Sequence, residues 1–131
     1  MFVDASALTA ILLREPEADA LAARLERARI RKTSPLAVWE TALAVARVLD
    51  LPPRTASQDV IEYLSVAGIE LLAVAPETAD LAMDAHDRFG KGRHKARLNM
   101  GDCFAYACAR HFGQPLLYKG DDFAQTDIEA A

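Results

Sequence analysis

Five carboxylates occupy positions from which they can do chemistry: Asp4, Glu40, Asp102 and the adjacent pair Asp121 and Asp122. Asp4 directly follows Phe2-Val3, which reads as a very short buried strand. Asp121 and Asp122 lie just past a second apolar run at 115–118. Asp102 opens a stretch that is almost wholly apolar or small, from Cys103 to Ala109, and a helix N-terminus there stabilises negative charge. Glu40 is set among Ala37, Val38, Trp39, Ala42 and Leu43, with no cation within four residues on either side. Taken singly, each has an ordinary structural use: an N-cap at Asp102, an Asx turn at Asp4, a polar turn at Asp121-Asp122, an outward-facing Glu40. Gathered in one crevice, they repel one another unless protons or cations neutralise them. Hard divalent cations with oxygen ligands, Mg²⁺ or Mn²⁺, meet that need. A bound ion of this kind polarises a phosphoryl group, acidifies a water and steadies a departing oxygen, which suits phosphodiester hydrolysis.

A second feature is cationic. Lys91, Arg93, His94, Lys95 and Arg97 fall within seven residues that hold no anion. Such a run is either a solvated loop or a cradle for a phosphate backbone. Zinc is not expected, because His86, His94 and His111 are scattered and form no ligand motif with Cys103 and Cys108. The two cysteines are separated by about 140° around a helix, which disfavours a disulfide and leaves them as small packing groups.

The elements that must position these groups follow from spacing and punctuation. A helix follows Asp4, with Ser6 as a candidate cap. A second runs from Pro16 to about Arg29, acidic in front and basic behind. A strand at 30–33 leads to a helix opened by Ser34-Pro35, carrying Leu36, Trp39, Leu43 and Ala46 at helical spacing and ended by Pro52-Pro53. Trp39 reads as a core or dimer-contact residue. Residues 57–67 form another helix with Val60, Ile61 and Leu64 inward, stopped by Gly68. A strand at 69–74 precedes a helix begun by Pro76-Glu77, on which Asp80, Asp84 and Asp87 mark a solvated face. A short helix at 102–112, closed by Gly113, leads to the strand at 115–118, and Thr126-Asp127-Ile128 suits an edge strand. Short strands alternating with helices define an α/β fold of three layers, with a short, mostly parallel central sheet flanked by helices. In such a sheet, ligands bind beyond the carboxyl ends of the strands, where Asp4 and Asp121-Asp122 stand.

With 131 residues, 52% of them hydrophobic, the chain reads as a single domain spanning 1–131. Its net charge of −4 and apolar content oppose disorder. No apolar run approaches the ~20 residues that span a bilayer, and residues 8–13 lack the flanks of a secretory signal. A cytoplasmic protein is expected.

Phe2-Val3-Asp4-Ala5-Ser6-Ala7-Leu8, Glu40, the run from Leu98 to Ala107, and Leu117-Tyr118-Lys119-Gly120-Asp121-Asp122-Phe123 together resemble the PIN-domain ribonucleases, and more narrowly the VapC toxins of bacterial toxin–antitoxin systems. The resemblance covers essentially the whole chain. It implies a PIN-like fold and a Mg²⁺- or Mn²⁺-dependent endoribonuclease that cuts RNA, often tRNA or rRNA, and stops translation. It places the acidic positions at Asp4, Glu40 and Asp102, with the fourth at Asp122 in preference to Asp121. It further implies that Ser6 hydrogen-bonds a metal-facing carboxylate, that the chain pairs as a homodimer, and that a cognate antitoxin inhibits it, often through an arginine entering the acidic pocket.

Two other readings of the carboxylates compete. A metal-dependent phosphatase or phosphotransferase using Asp4 as nucleophile needs a second aspartate two residues on, where Ser6 stands. A receiver domain needs an acidic pair after its first strand, where there is one aspartate. A non-catalytic module that clamps RNA or a partner is the remaining alternative.

Overall fold

Four strands of two residues each, β1 (Phe2–Val3), β2 (Lys32–Thr33), β3 (Glu70–Leu71) and β4 (Leu116–Leu117), make one parallel sheet in the computed structural model, which describes residues 1–131. Their order is β3-β2-β1-β4. Phe2 is in register with both Lys32 and Leu116. The chain therefore steps outward from β1 to β3 and returns on the other side of β1 for its last strand. That reversal makes the carboxyl end of β1 the topological switch point, where open α/β sheets hold ligands.

Six helices cover the sheet: α1 (Ala5–Leu12), α2 (Ala18–Arg27), α3 (Pro35–Leu49), α4 (Pro53–Val66), α5 (Thr78–Phe89) and α6 (Met100–His111). Alternation along the strands divides the core in two. Phe2 and Leu116 face α5 and α6, packing with Ala82, Ala85, Phe89, Tyr106 and Phe123. Val3 and Leu117 face the other way, onto Leu8, Leu21, Leu25, Val38, Val60 and Leu64 of α1 to α4. The three expected layers are present, and all three strand pairings are parallel.

Several local expectations are corrected. Pairing takes only two residues from each of the runs at 30–33, 69–74 and 115–118. Thr126-Asp127-Ile128 is no edge strand, because a 3-10 turn at Phe123–Gln125 delays the pairing, which falls at Ala130 opposite Leu116. The stop of α3 is Asp50, in the left-handed region at φ 52°, while Pro53 instead begins α4 at a position that needs no N–H. The inward face of α3 is Ala37, Val38, Thr41, Ala42, Val45 and Ala46. Trp39 is consequently 60% exposed and Leu43 38%, so Trp39 is not a core residue. Ile61 is likewise exposed, beside the buried Val60 and Leu64.

Candidate active site

Asp4 is the residue at which β1 becomes α1. Its extended backbone makes it the N-cap, and its Oδ2 accepts hydrogen bonds from the Ser6 amide at 2.9 Å and the Ser6 hydroxyl at 2.5 Å. Asp4, not Ser6, caps α1. Ser6 Oγ in turn accepts from the Lys119 amide at 3.0 Å, tying the end of β4 to the end of β1. Asp4 is only 3% exposed. Burial pushes its carboxyl up, against the opposing effect of the Ser6 bonds.

Asp102 lies inside α6, which begins two residues earlier than its apolar run suggested. Asn99 is the cap, and the two residues form a reciprocal capping box: Asp102 Oδ2 accepts from the Asn99 amide at 2.8 Å and Asn99 Oδ1 from the Asp102 amide at 3.0 Å. Burial, then the charges of Asp4 and Asp122, raise Asp102 to about 6, while the Asn99 bond works in the other direction.

Glu40 reaches this point from α3. Its carboxylate rests against the backbone of Gly101: a Cβ at that glycine would stand 1.8 Å from Glu40 Oε1. Burial, followed by the charges of Asp4 and Asp102, raises Glu40 to about 7. Asp121 and Asp122 are both exposed, between Gly120 at φ +95° and the Phe123–Gln125 turn. Asp122 is close enough to perturb Asp102, whereas Asp121 lines a hollow with Glu17, Arg24 and Lys119.

Four chain-distant carboxylates thus share one electrostatic site, and none of them is in an ion pair with a protein cation. As they stand, no three converge closely enough to form a closed metal-ligand set. Their donor chemistry is all-oxygen and uncompensated, which fits a hard divalent ion and no softer one.

The cationic run forms a compact loop closed at its neck, where Gly90 pairs with Leu98. Lys91, Arg93, His94, Lys95 and Arg97 line an open hollow, and Ala96 is buried beneath it. Arg97 adopts φ 53° one residue before Leu98, which leads into the α6 cap. Arg93 also meets Asp87 at 3.4 Å on the exposed face of α5. His94 is turned inward: Nδ1 accepts from the Ala96 amide at 3.1 Å, and the ring stands edge-on to Phe89.

Two groups near the site escaped sequence reasoning. Gly101 had a usable signal, since a glycine in a first helical turn costs propensity and often marks a close approach. Asp127, given no side-chain role by its place in an expected edge strand, carries a polar cluster with Tyr106, Arg88 and Arg110.

Residues 1–129 match the PIN domain family. The chain belongs to the PIN-domain family. Its relatives make the kinship narrower: it is 43% identical over 128 residues to Ribonuclease VapC30 of Mycobacterium tuberculosis, covering 98% of this chain and 95% of that protein. It is 42% identical over 130 residues to Ribonuclease VapC of Mycolicibacterium smegmatis, covering 99% and 98%. In fold it is similar to the crystal structure of VapC20 of Mycobacterium tuberculosis, a sarcin-ricin-loop-cleaving toxin, at a TM-score of 0.75 and 18% identity over 99% of this chain and 97% of that one.

Proposed function

We propose that residues 1–131 form one nuclease domain whose Asp4, Glu40, Asp102 and Asp122 bind Mg²⁺ or Mn²⁺ and which cleaves RNA internally. The supporting observation is the shared field of the carboxylates: burial and then neighbouring carboxylate charges (Asp4 and Asp102 on Glu40, Asp4 and Asp122 on Asp102) raise Glu40 to about 7 and Asp102 to about 6, and no protein cation relieves them. A divalent ion, when bound, polarises the phosphodiester and acidifies the attacking water. The chain's own groups do the rest. Ser6 holds Asp4, and Asn99 holds Asp102, so both carboxylates are oriented before any ligand arrives. Glu40, titrating near neutrality, takes up or releases a proton as the charge of the site changes. Lys91, Arg93, Lys95 and Arg97, with His94 beside them, hold the phosphate backbone without reading sequence.

In this reading the protein is a toxin that acts in the cytoplasm on tRNA or rRNA and stops translation. Its inhibitor is a cognate antitoxin, and an arginine fork suits the unpaired carboxylates. A homodimer is in keeping with the exposed Trp39, Leu43, Met83 and Met100. No helix is long and apolar enough to cross a membrane. The test is incubation with structured RNA in Mg²⁺ and then in EDTA. Metal-dependent cleavage that is lost in Asp4→Asn and Asp102→Asn is the expected result. Binding without cleavage, or phosphate release from small esters in its place, overturns it.

A further inference from the structure

Asp127 is bonded from three directions. Its Oδ1 accepts from the Tyr106 hydroxyl at 2.7 Å and its Oδ2 from Arg88 at 2.6 Å. Arg110 Nη2 donates to the Asp127 carbonyl at 3.1 Å and stands equally near Oδ1. The donors come from α5 and α6, while Asp127 belongs to the segment after β4. Tyr106 is 2% exposed and lies one helical turn beyond Asp102. Asp127 lies five residues beyond Asp122.

The intervening chain is pinned on both sides of Asp122. Before it, the Lys119 amide donates to Ser6 Oγ. After it, Phe123 is buried against Tyr118, with ring centroids 5.1 Å apart, and Thr126 Oγ1 donates to the Phe123 carbonyl at 2.7 Å. Further on, the Leu116 amide donates to Glu129 at 2.8 Å and the Ala131 amide to Leu116 at 2.9 Å. Between Lys119 and the buried Phe123, the residues Gly120, Asp121 and Asp122 are exposed. Exposed ion pairs contribute little to stability singly. The side chains of Arg88, Arg110 and Asp127 are all more than two-fifths exposed, so their principal effect is geometric.

We infer that Asp127, through Tyr106, Arg88 and Arg110, fixes the loop bearing Asp122 against the helix bearing Asp102, and so sets the spacing of those two carboxylates. It is a positioning residue, and the inference rests on the proposed role of Asp122 as a metal ligand. Loosening the clamp leaves the ligands present but misplaced, which weakens ion binding and slows turnover while leaving RNA affinity intact.

The test is Mn²⁺ titration of the RNA-free protein, followed by electron paramagnetic resonance, for wild type, Asp127→Asn, Asp122→Asn and the double variant. Tyr106→Phe, which keeps the buried ring and removes only the hydroxyl, serves if Asp127→Asn fails to fold. Each clamp variant is expected to weaken Mn²⁺ binding about tenfold or more, to lower kcat with KM unchanged, and to add nothing in the Asp122→Asn background. A lowered melting temperature with unchanged Mn²⁺ affinity overturns the inference, as does full additivity with Asp122→Asn. If Asp122→Asn alone leaves Mn²⁺ affinity unchanged, the ligand reading of Asp122 fails and the inference fails with it. A strong Asp122→Asn effect beside inert clamp variants sinks the inference alone.

Discussion

The Glu40 carboxylate lies directly over the Cα of Gly101, filling the space that a side chain at 101 would need. The contact joins α3 to the first turn of α6, one residue from Asp102. Gly101→Ala is therefore expected to displace the carboxylate, because the glutamate tip moves more easily than the helix backbone. Alanine also gains about 1 kcal/mol of helix propensity over glycine, so the melting temperature should hold or rise slightly. RNA cleavage should fall by about tenfold or more, as when a positioning contact is lost at a metal site. Full activity in a folded Gly101→Ala protein would remove Glu40 from the machinery as placed here.

The raised carboxyls make stability depend on pH in a definite direction. Glu40 moves from its ordinary 4.5 to about 7, and Asp102 from 3.8 to about 6. Between the ordinary and raised values, the folded protein binds protons that the unfolded chain has released. The resulting stabilisation is complete below the ordinary values and disappears as pH rises through the raised ones. The melting temperature of metal-free protein should accordingly fall between about pH 5 and about pH 8. Added Mn²⁺ should raise it more at the upper pH, since the ion replaces the protons. A profile that is flat, or that rises across this window, contradicts the repulsive site.

Glu40→Gln separates charge from shape. It keeps the side chain's length while deleting the charge that burial and the neighbouring Asp4 and Asp102 oppose. Above neutral pH, the metal-free variant should melt higher than the wild type, and it should bind Mn²⁺ more weakly and cleave more slowly. Calorimetric melts alongside cleavage rates check both halves. Unfolding of the variant with activity retained would count against a repulsive, ion-binding role.

The strands and acids that were legible in the sequence share a local cause. Phe2-Val3 and Leu116-Leu117 are short apolar runs with a polar residue or glycine shortly after, and each delivers its carboxylates to the sheet edge from which its own chain emerges. What sequence spacing left hidden depends on partners far along the chain. On α3, the row containing Trp39 and Leu43 is as well spaced as the row of Ala37, Thr41, Val45 and their neighbours, yet the smaller side chains are the ones turned inward. The cap of α6 was displaced because Asn99 and Asp102 each satisfy the other's amide, which only the formed turn reveals. Asp127 looked like part of an edge because its partners, Arg88, Tyr106 and Arg110, belong to helices that precede β4.

The loop at 91–97 offers a test that does not touch the acids. Its cations surround a hollow lined by no hydrophobic residue, and only Arg93 among them forms an ion pair with an acidic residue, Asp87. Backbone contacts of this kind release counterions from RNA, so each one adds about 0.7 to the slope of log affinity against log salt for a single strand. Replacing Lys91, Arg93 and Lys95 by glutamine should raise KM for RNA, leave kcat nearly unchanged, and flatten the salt dependence by about two units. Because these side chains are exposed, the melting temperature should hold. Cleavage assays over a salt series measure both effects, and a slope equal to that of the wild type would take the loop off the RNA-binding surface.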